Sequence, residues 1–300
     1  MEKADDEKPS LSPAMVPNPW TELRGLTPAR LALGRAGGSL PTSEMLGFQL
    51  DHARAMDAVH RNLSVAALEQ ALQASPVISA VCGPNPIHLF SKVRDRSAYL
   101  QRPDLGRQLD EHSYQLLHEQ CGAGDGSIDL ALVVGDGLSA LAVELYAVPF
   151  LEAFLALVQR DTPVWRVTPI SIVSQARVAV GDDIGEALKA RAVLVLIGER
   201  PGLSSPDSMG LYLTWAPQRG KRDAARNCIS NVRSAGLSCE DAAGKAFSLA
   251  KEAFRREISG IDLKDRSDAL DDGTQLGQDA VVSFRLVHGA TEDDARESNR

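Results

Sequence analysis

The strand-like run "VLVLIGERPGL" (193–203) has no polar side chain before Glu199, where it meets Glu-Arg-Pro-Gly. A continuous Val/Ile/Leu run predicts a strand covered on both faces, and in open α/β sheets ligands bind beyond the carboxyl ends of such strands. "IDLALVVGDGLSALAVELYAV" (128–148) predicts strand, Gly-Asp-Gly turn and helix, with Pro149 kinking or ending the helix. "VTPISIVS" (167–174) and "AVLVLIGE" (192–199) predict two more strands, and "GDDIGEALKA" (181–190) the helix between them. Strand alternating with helix implies parallel pairing through right-handed crossovers, so the expected fold is α/β, a doubly wound, mostly parallel sheet.

"GLYLTWAP" (210–217) alternates with period two and predicts another strand, whereas "GKRDAARNCISNVRSAGLS" reads as polar loop. A last helix is predicted from Ser238, with Asp241 completing a capping-box variant and Ala243, Ala246, Phe247, Ala250, Phe254 and Ile258 on one face, up to Gly260. Upstream the period is helical. Thr27 and Pro28 predict a helix start in "LTPARLALGRA", and Met45, Phe48, His52, Met56 and Val59 recur at helical spacing. Ser64 precedes another helix through Leu68 and Leu72, and "LGRQLDEHSYQLLHEQC" (105–121) reads as one amphipathic helix. The expected organisation is a flexible lead (1–20), a helical N-terminal region (21–103), an α/β domain (104–265) and a disordered extension (266–300). That extension carries eight acidic residues against four basic ones.

Composition narrows the function classes. A 300-residue chain with 44% hydrophobic residues supports a proper core, and a net charge of -8 without a basic stripe argues against nucleic acid as partner. The acidic start "MEKADDEKPS" has no apolar signal region, and no run approaches a membrane span, so no membrane association is expected. The four cysteines lack CxxC spacing, which suggests neither a disulfide framework nor a metal site and points to a reducing cytosol. His52 and His60 lie eight apart rather than at the i, i+4 spacing of a chelating pair, and are read as ordinary packing or surface residues.

Three loops could carry chemistry. The glycine turn in "VVGDGLSAL" offers helix N–H groups to a ligand, or Asp136 and Ser139 serve only as caps. In "LIGERPGL", Glu199 could accept hydrogen bonds from ligand amides, or pair with a nearby base at a structural corner. In "DAARNCISNVR", Arg226, Asn227, Ser230 and Asn231 surround Cys228, which has no histidine nearby in sequence to activate it; no catalytic residue is expected there.

The ordered series "LTPARLALGRAGGSLPT", "GDGLSALAV", "LIGERPGLSSPDSMG", "RNCISNVR" and "SGIDLKD" resembles the small (light) subunit of ethanolamine ammonia-lyase, over about residues 20–265. The resemblance implies a Rossmann-like domain that helps clamp adenosylcobalamin against a large catalytic subunit, in an assembly of six large and six small chains converting ethanolamine to acetaldehyde and ammonia. It also implies cofactor contacts at Val178 in "QARVAVGDD", Glu199 and Cys228, with the substrate site on the large subunit. "DEHSYQ" (110–115) departs from the Asp-x-His-x-x-Gly of base-off cobalamin proteins, so base-on binding without a protein ligand to cobalt is implied. The complex is expected in the cytosol, with a bacterial microcompartment as the alternative site. Two other readings stay open: an assembly subunit with no cofactor contact, and an independent nucleotide-binding enzyme.

Overall fold

A computed structural model describes residues 18–27, 29–121 and 128–264; the lead and the acidic extension fall outside them, apart from the first residues of the N-terminal arm. The sheet is built from β1 (Ile87–Phe90), β2 (Ile128–Gly135), β3 (Ser171–Ser174), β4 (Ala190–Gly198), β5 (Met209–Trp215) and β6 (Arg226–Val232). Its order is β1-β3-β2-β4-β5-β6. The β1–β3, β3–β2 and β2–β4 pairs are parallel, while β4–β5 and β5–β6 are antiparallel, so the sheet is mixed. The expected parallel pairing stops at β4 because residues 199–208 contain no helix. A parallel return needs a crossover of a dozen or more residues, whereas a short connection gives an antiparallel neighbour.

Alternate residues of β2 and β4 serve two cores. Leu130, Leu132, Val134, Leu194 and Leu196 pack with α6 (Ala140–Arg160) and α8 (Cys239–Arg256), while Ala131, Val133, Val193, Val195 and Ile197 pack with α7 (Val180–Ala187). Helices thus cover both faces, which explains the unbroken apolar runs. Phe150 and Phe154 of α6 are fully buried and stack with centroids 5.8 Å apart. Each such side chain contributes about 1.5–3 kcal/mol by burial.

That burial explains why α6 continues through Pro149 to Arg160 instead of stopping. Pro149 and Leu145, whose carbonyl would have accepted the missing N–H, both lie on the exposed side of the helix, where water can take the hydrogen bond. Among the described helices α6 is long and apolar enough to cross a membrane, as is the strongly bent pair α2 (Val65–Ala74) and α3 (Pro76–Cys82) taken together. All three contribute side chains to the core between helices and sheet.

Other elements depart from the sequence pattern. Residues 29–33 are not helical. Arg24 donates to the carbonyls of Leu31 and Ala32 and to Glu44, and Arg30 to Asp51 and the Glu44 carbonyl, so this segment is tied in extended form to α1 (Thr42–His60). The segment 105–121 splits into a 3₁₀ turn at Leu105–Arg107 and α5 (Glu111–Cys121). Gln108 and Asp110 bond instead to the backbone around the end of β1, at Lys92 and Phe90. The "loop" at Arg226–Val232 is the edge strand β6, where one polar flank is tolerated. α8 starts as expected, with the Ser238 hydroxyl accepting from the Asp241 N–H at 3.0 Å, but ends at Glu257 in the left-handed conformation rather than at Gly260.

At the carboxyl edge of the sheet, two loops interlock. The Leu138 N–H donates to the Gly198 carbonyl at 2.9 Å, and a Cβ at Gly137, whose φ is +58°, would stand 2.2 Å from that same oxygen. The Gly-Asp-Gly turn is therefore set by backbone-to-backbone packing against the end of β4.

Candidate functional site

A cleft of about 380 Å³ opens beside the sheet, lined by Pro103, Arg107, Arg177, Val178, Ala179, Tyr212, Asp223, Arg226 and Cys228. It brings together Val178 and Cys228, which lie fifty residues apart in sequence. Val178 is half-buried in the turn before α7. Cys228 is directly opposite Tyr212 across the β5–β6 ladder. Strand alternation sends Arg226 and Cys228 toward the α7 side, whereas Asn227 faces away and clasps the Gly260 and Leu263 carbonyls. The four polar residues around Cys228 in sequence are thus divided between the two faces of the strand.

Cys228 is exposed as a residue, yet its sulfur sits against Tyr212. Loss of water there pushes the thiol above its ordinary range; the Tyr212 hydroxyl, hydrogen-bonded to the sulfur, pulls it back, and the Glu199 charge adds to the rise. Tyr212 itself is raised, first by burial and then by its bond to Cys228. At neutral pH the pair is a neutral thiol and phenol, suited to packing and hydrogen bonding rather than nucleophilic attack.

Glu199 follows β4 directly and does not line this cleft, but its charge reaches both Cys228 and Tyr212. Its Oε2 accepts from the Ser208 hydroxyl at 2.5 Å and the Asn231 N–H at 3.2 Å, and its backbone N–H donates to the Ser208 carbonyl. Among the described residues nothing donates to Oε1. A Cβ at Gly210 would stand 2.9 Å from Oε1 and 3.1 Å from the Tyr212 ring, so Gly210 keeps open the space that the carboxylate occupies. Oε2 thus holds the residue's own loop, while Oε1 has no donor among the described residues.

The floor behind the cleft is self-neutralised. Arg226 binds Asp182 through two bonds of 2.6 Å, with Thr214 and the Lys221 carbonyl as further acceptors, and Arg219 binds Asp183 through two of 2.8 Å. Burial raises Asp182 although Arg226 opposes it. Asp136, raised first by burial, accepts from the Gln175 and Ala176 N–H groups and lies 3.6 Å from Arg96. It thereby fixes the turn that carries Val178. Ser139 caps α6 and donates to the Pro206 carbonyl. Both polar residues of the glycine turn are committed to structure. Among the described residues no cluster of His, Cys, Asp or Glu could hold a metal ion.

Sequence reasoning did not single out Tyr212, Arg107 or Arg177. Tyr212 looks like any alternating strand residue, and its role shows only once β6 is paired with β5.

The fold and cleft define an α/β protein with a cleft against β5 and β6 in which Val178, Tyr212 and Cys228 stand among arginine side chains, and with the Glu199 carboxylate beyond it at the end of β4. Residues 17–264 match the family described as ethanolamine ammonia-lyase light chain. Proteins named ethanolamine ammonia-lyase small subunit are similar over most of the chain. The one from Pseudomonas aeruginosa is 53% identical over 258 residues, 86% of this chain and 91% of the relative. The one from Ralstonia nicotianae is 52% identical over 263 residues, 88% and 94%, and that from Xanthomonas campestris pv. campestris is 52% identical over 262, 87% and 93%. The chain belongs to the ethanolamine ammonia-lyase light chain family.

Proposed function

We propose that this chain is the small subunit of an adenosylcobalamin-dependent ethanolamine ammonia-lyase and holds one side of the cofactor, base-on, at Val178, Glu199 and Cys228, against a large subunit that carries the substrate site. The free Oε1 of Glu199 is the observation that carries this reading. Corrin side chains end mostly in primary amides, whose N–H groups need acceptors, and Oε1 is a charged acceptor that no donor among the described residues uses. The Val178–Tyr212–Cys228 wall supplies apolar and weakly polar contact beside it. When bound, adenosylcobalamin supplies homolysis of its cobalt–carbon bond, the source of the radical needed to turn ethanolamine into acetaldehyde and ammonia. This chain orients the corrin and excludes water from its edge.

The large subunit has a place to dock. α1 buries only Ala58, while Met45, Leu46, Phe48, Leu50 and Met56 on it are exposed, with Trp20 and Leu26 of the preceding arm. Such a concentration of large apolar side chains marks an interaction surface. An assembly of six large and six small chains, in the cytosol or a microcompartment, completes the proposal, and the four parallel strands with helices on both faces are read as its Rossmann-like part. The independent nucleotide-binding reading has less support, since the Leu138 N–H of the glycine turn is taken by the Gly198 carbonyl and Asp136 by the 175–176 turn.

Filling the cleft tests the proposal. In the complex of both subunits, Cys228→Trp is expected to weaken adenosylcobalamin binding by about tenfold or more, a loss of roughly 1.4 kcal/mol, while assembly measured by size-exclusion is unchanged. Unchanged cofactor affinity in an assembled Cys228→Trp complex would show that the cofactor lies elsewhere.

A further inference from the structure

Arg177 lines the 380 Å³ cleft and also a second, of about 610 Å³, formed by Leu138, Arg200, Pro201, Gly202 and Leu203 with the α1 side chains His52, Ala55, Met56 and Val59. It therefore borders both openings at the strand ends. Its position is fixed by packing: the backbone N–H donates to the Gly106 carbonyl at 2.7 Å, the guanidinium lies 4.2 Å from the Tyr99 ring centre, and Nη2 donates to the Tyr99 carbonyl at 3.3 Å. A Cβ at Gly106 would come 3.0 Å from the Arg177 Cγ, so the stem has little room to swing.

What Arg177 lacks is an anion. Arg226 and Arg219 each have a two-bond carboxylate partner, and Arg96, the other guanidinium near Tyr99, leans on Asp136 at 3.6 Å. Among the described residues no carboxylate lies within ion-pair distance of Arg177, and its Nε is buried with no hydrogen-bond partner. Asp223, the one acidic residue of the cleft lining, is bonded instead to Arg226 at 3.4 Å. A buried donor on a cation carries a large desolvation cost until an acceptor arrives.

We propose that Arg177 is the receptor for an anionic phosphate oxygen, that of the phosphodiester in the cofactor's nucleotide loop. This rests on the cobalamin reading and deepens it. The phosphodiester is the anionic group of base-on cobalamin, and a planar guanidinium fixed at the cleft edge matches its geometry. Arg107, exposed on the same cleft, adds positive potential without being held in place.

The test compares adenosylcobinamide with adenosylcobinamide phosphate, which differ by the phosphate alone, in equilibrium dialysis against the complex of both subunits. Wild type is expected to bind the phosphorylated form about tenfold or more tightly, as for a charge-assisted contact. Arg177→Gln keeps a stem to pack on Gly106 and Tyr99; it should erase that preference while leaving the affinity for adenosylcobinamide nearly unchanged, and Arg177→Lys should keep part of it. Equal loss of both ligands in Arg177→Gln, with an unchanged melting temperature, would mean a contact to a corrin amide and overturn the proposal, as would a phosphate preference that survives the substitution. If Cys228→Trp also leaves both affinities untouched, the cobalamin reading itself fails, an outcome distinct from failure of the Arg177 assignment alone.

Discussion

Glu199→Ala is expected to weaken adenosylcobalamin binding to the two-subunit complex by about ten- to a hundredfold, the range for a hydrogen bond to a charged group, and to leave turnover at saturating cofactor largely intact. Oε1 is bonded to no donor among the described residues, and the proposed function puts the substrate site on the large subunit, so the loss is expected to fall on cofactor affinity. Alanine also strands the Ser208 hydroxyl and the Asn231 N–H, both held by Oε2. Glu199→Gln separates the two effects, because it keeps the size of the side chain and removes the charge. A loss shared by Ala and Gln belongs to the charged acceptor; a loss confined to Ala belongs to the loop. Titration of cofactor-dependent turnover checks both. A fall in turnover at saturating cofactor with unaltered affinity would contradict the assignment.

Arg226→Met should cost about 3–5 kcal/mol of folding stability, the range for removing one partner of a buried ion pair. Both side chains are almost fully buried, with Arg226 joining β6 to α7 behind the cleft. In the variant, Asp182 keeps the burial that already raises it and loses Arg226, the stronger of the two cations that oppose the rise, keeping only the weaker pull of Lys221. The folded state then binds a proton more tightly than the unfolded chain does, so stability falls as pH rises from the ordinary carboxylate range through the elevated folded value. Denaturant unfolding near pH 5 and pH 8 should show the deficit relative to wild type growing with pH. A deficit that shrinks on going to pH 8 would mean that Asp182 finds another positive partner.

The parts of the fold legible in the sequence are those where one physical signal dominates. β2 and β4 are buried on both faces, so their apolar runs survive any neighbour choice; α8 carries a cap at Ser238 and one apolar face. β1 leaves no mark in the pattern because four residues, Ile87–Phe90, are too short to show a period. β6 reads as loop in the sequence because an edge strand can carry Arg226, Asn227, Ser230 and Asn231 and still pair with β5. The helix expected from Thr27 fails because Arg24 captures the Leu31 and Ala32 carbonyls that a helix would have used, while Arg30 reaches out of the segment to Asp51 and the Glu44 carbonyl of α1. Antiparallel pairing at β5 follows from a connection that holds no helix, a feature of length rather than of pattern.

The candidate site divides in the same way. Position at the end of an apolar strand marks Glu199 from sequence alone. Val178 and Cys228 are implied only by the family resemblance, and the structure places both on the lining of one cleft with Tyr212. Arg177 carries no local signal at all. An unanswered Nε is a property of packing against Gly106 and Tyr99, and no spacing rule encodes it.

The most direct measurement is acetaldehyde formation from ethanolamine and adenosylcobalamin by the matching large subunit, with and without this chain. Turnover only when both chains are present, with cofactor retained by the complex and lost from the large subunit alone, is the predicted result. Equal turnover and equal cofactor retention by the large subunit alone would contradict it.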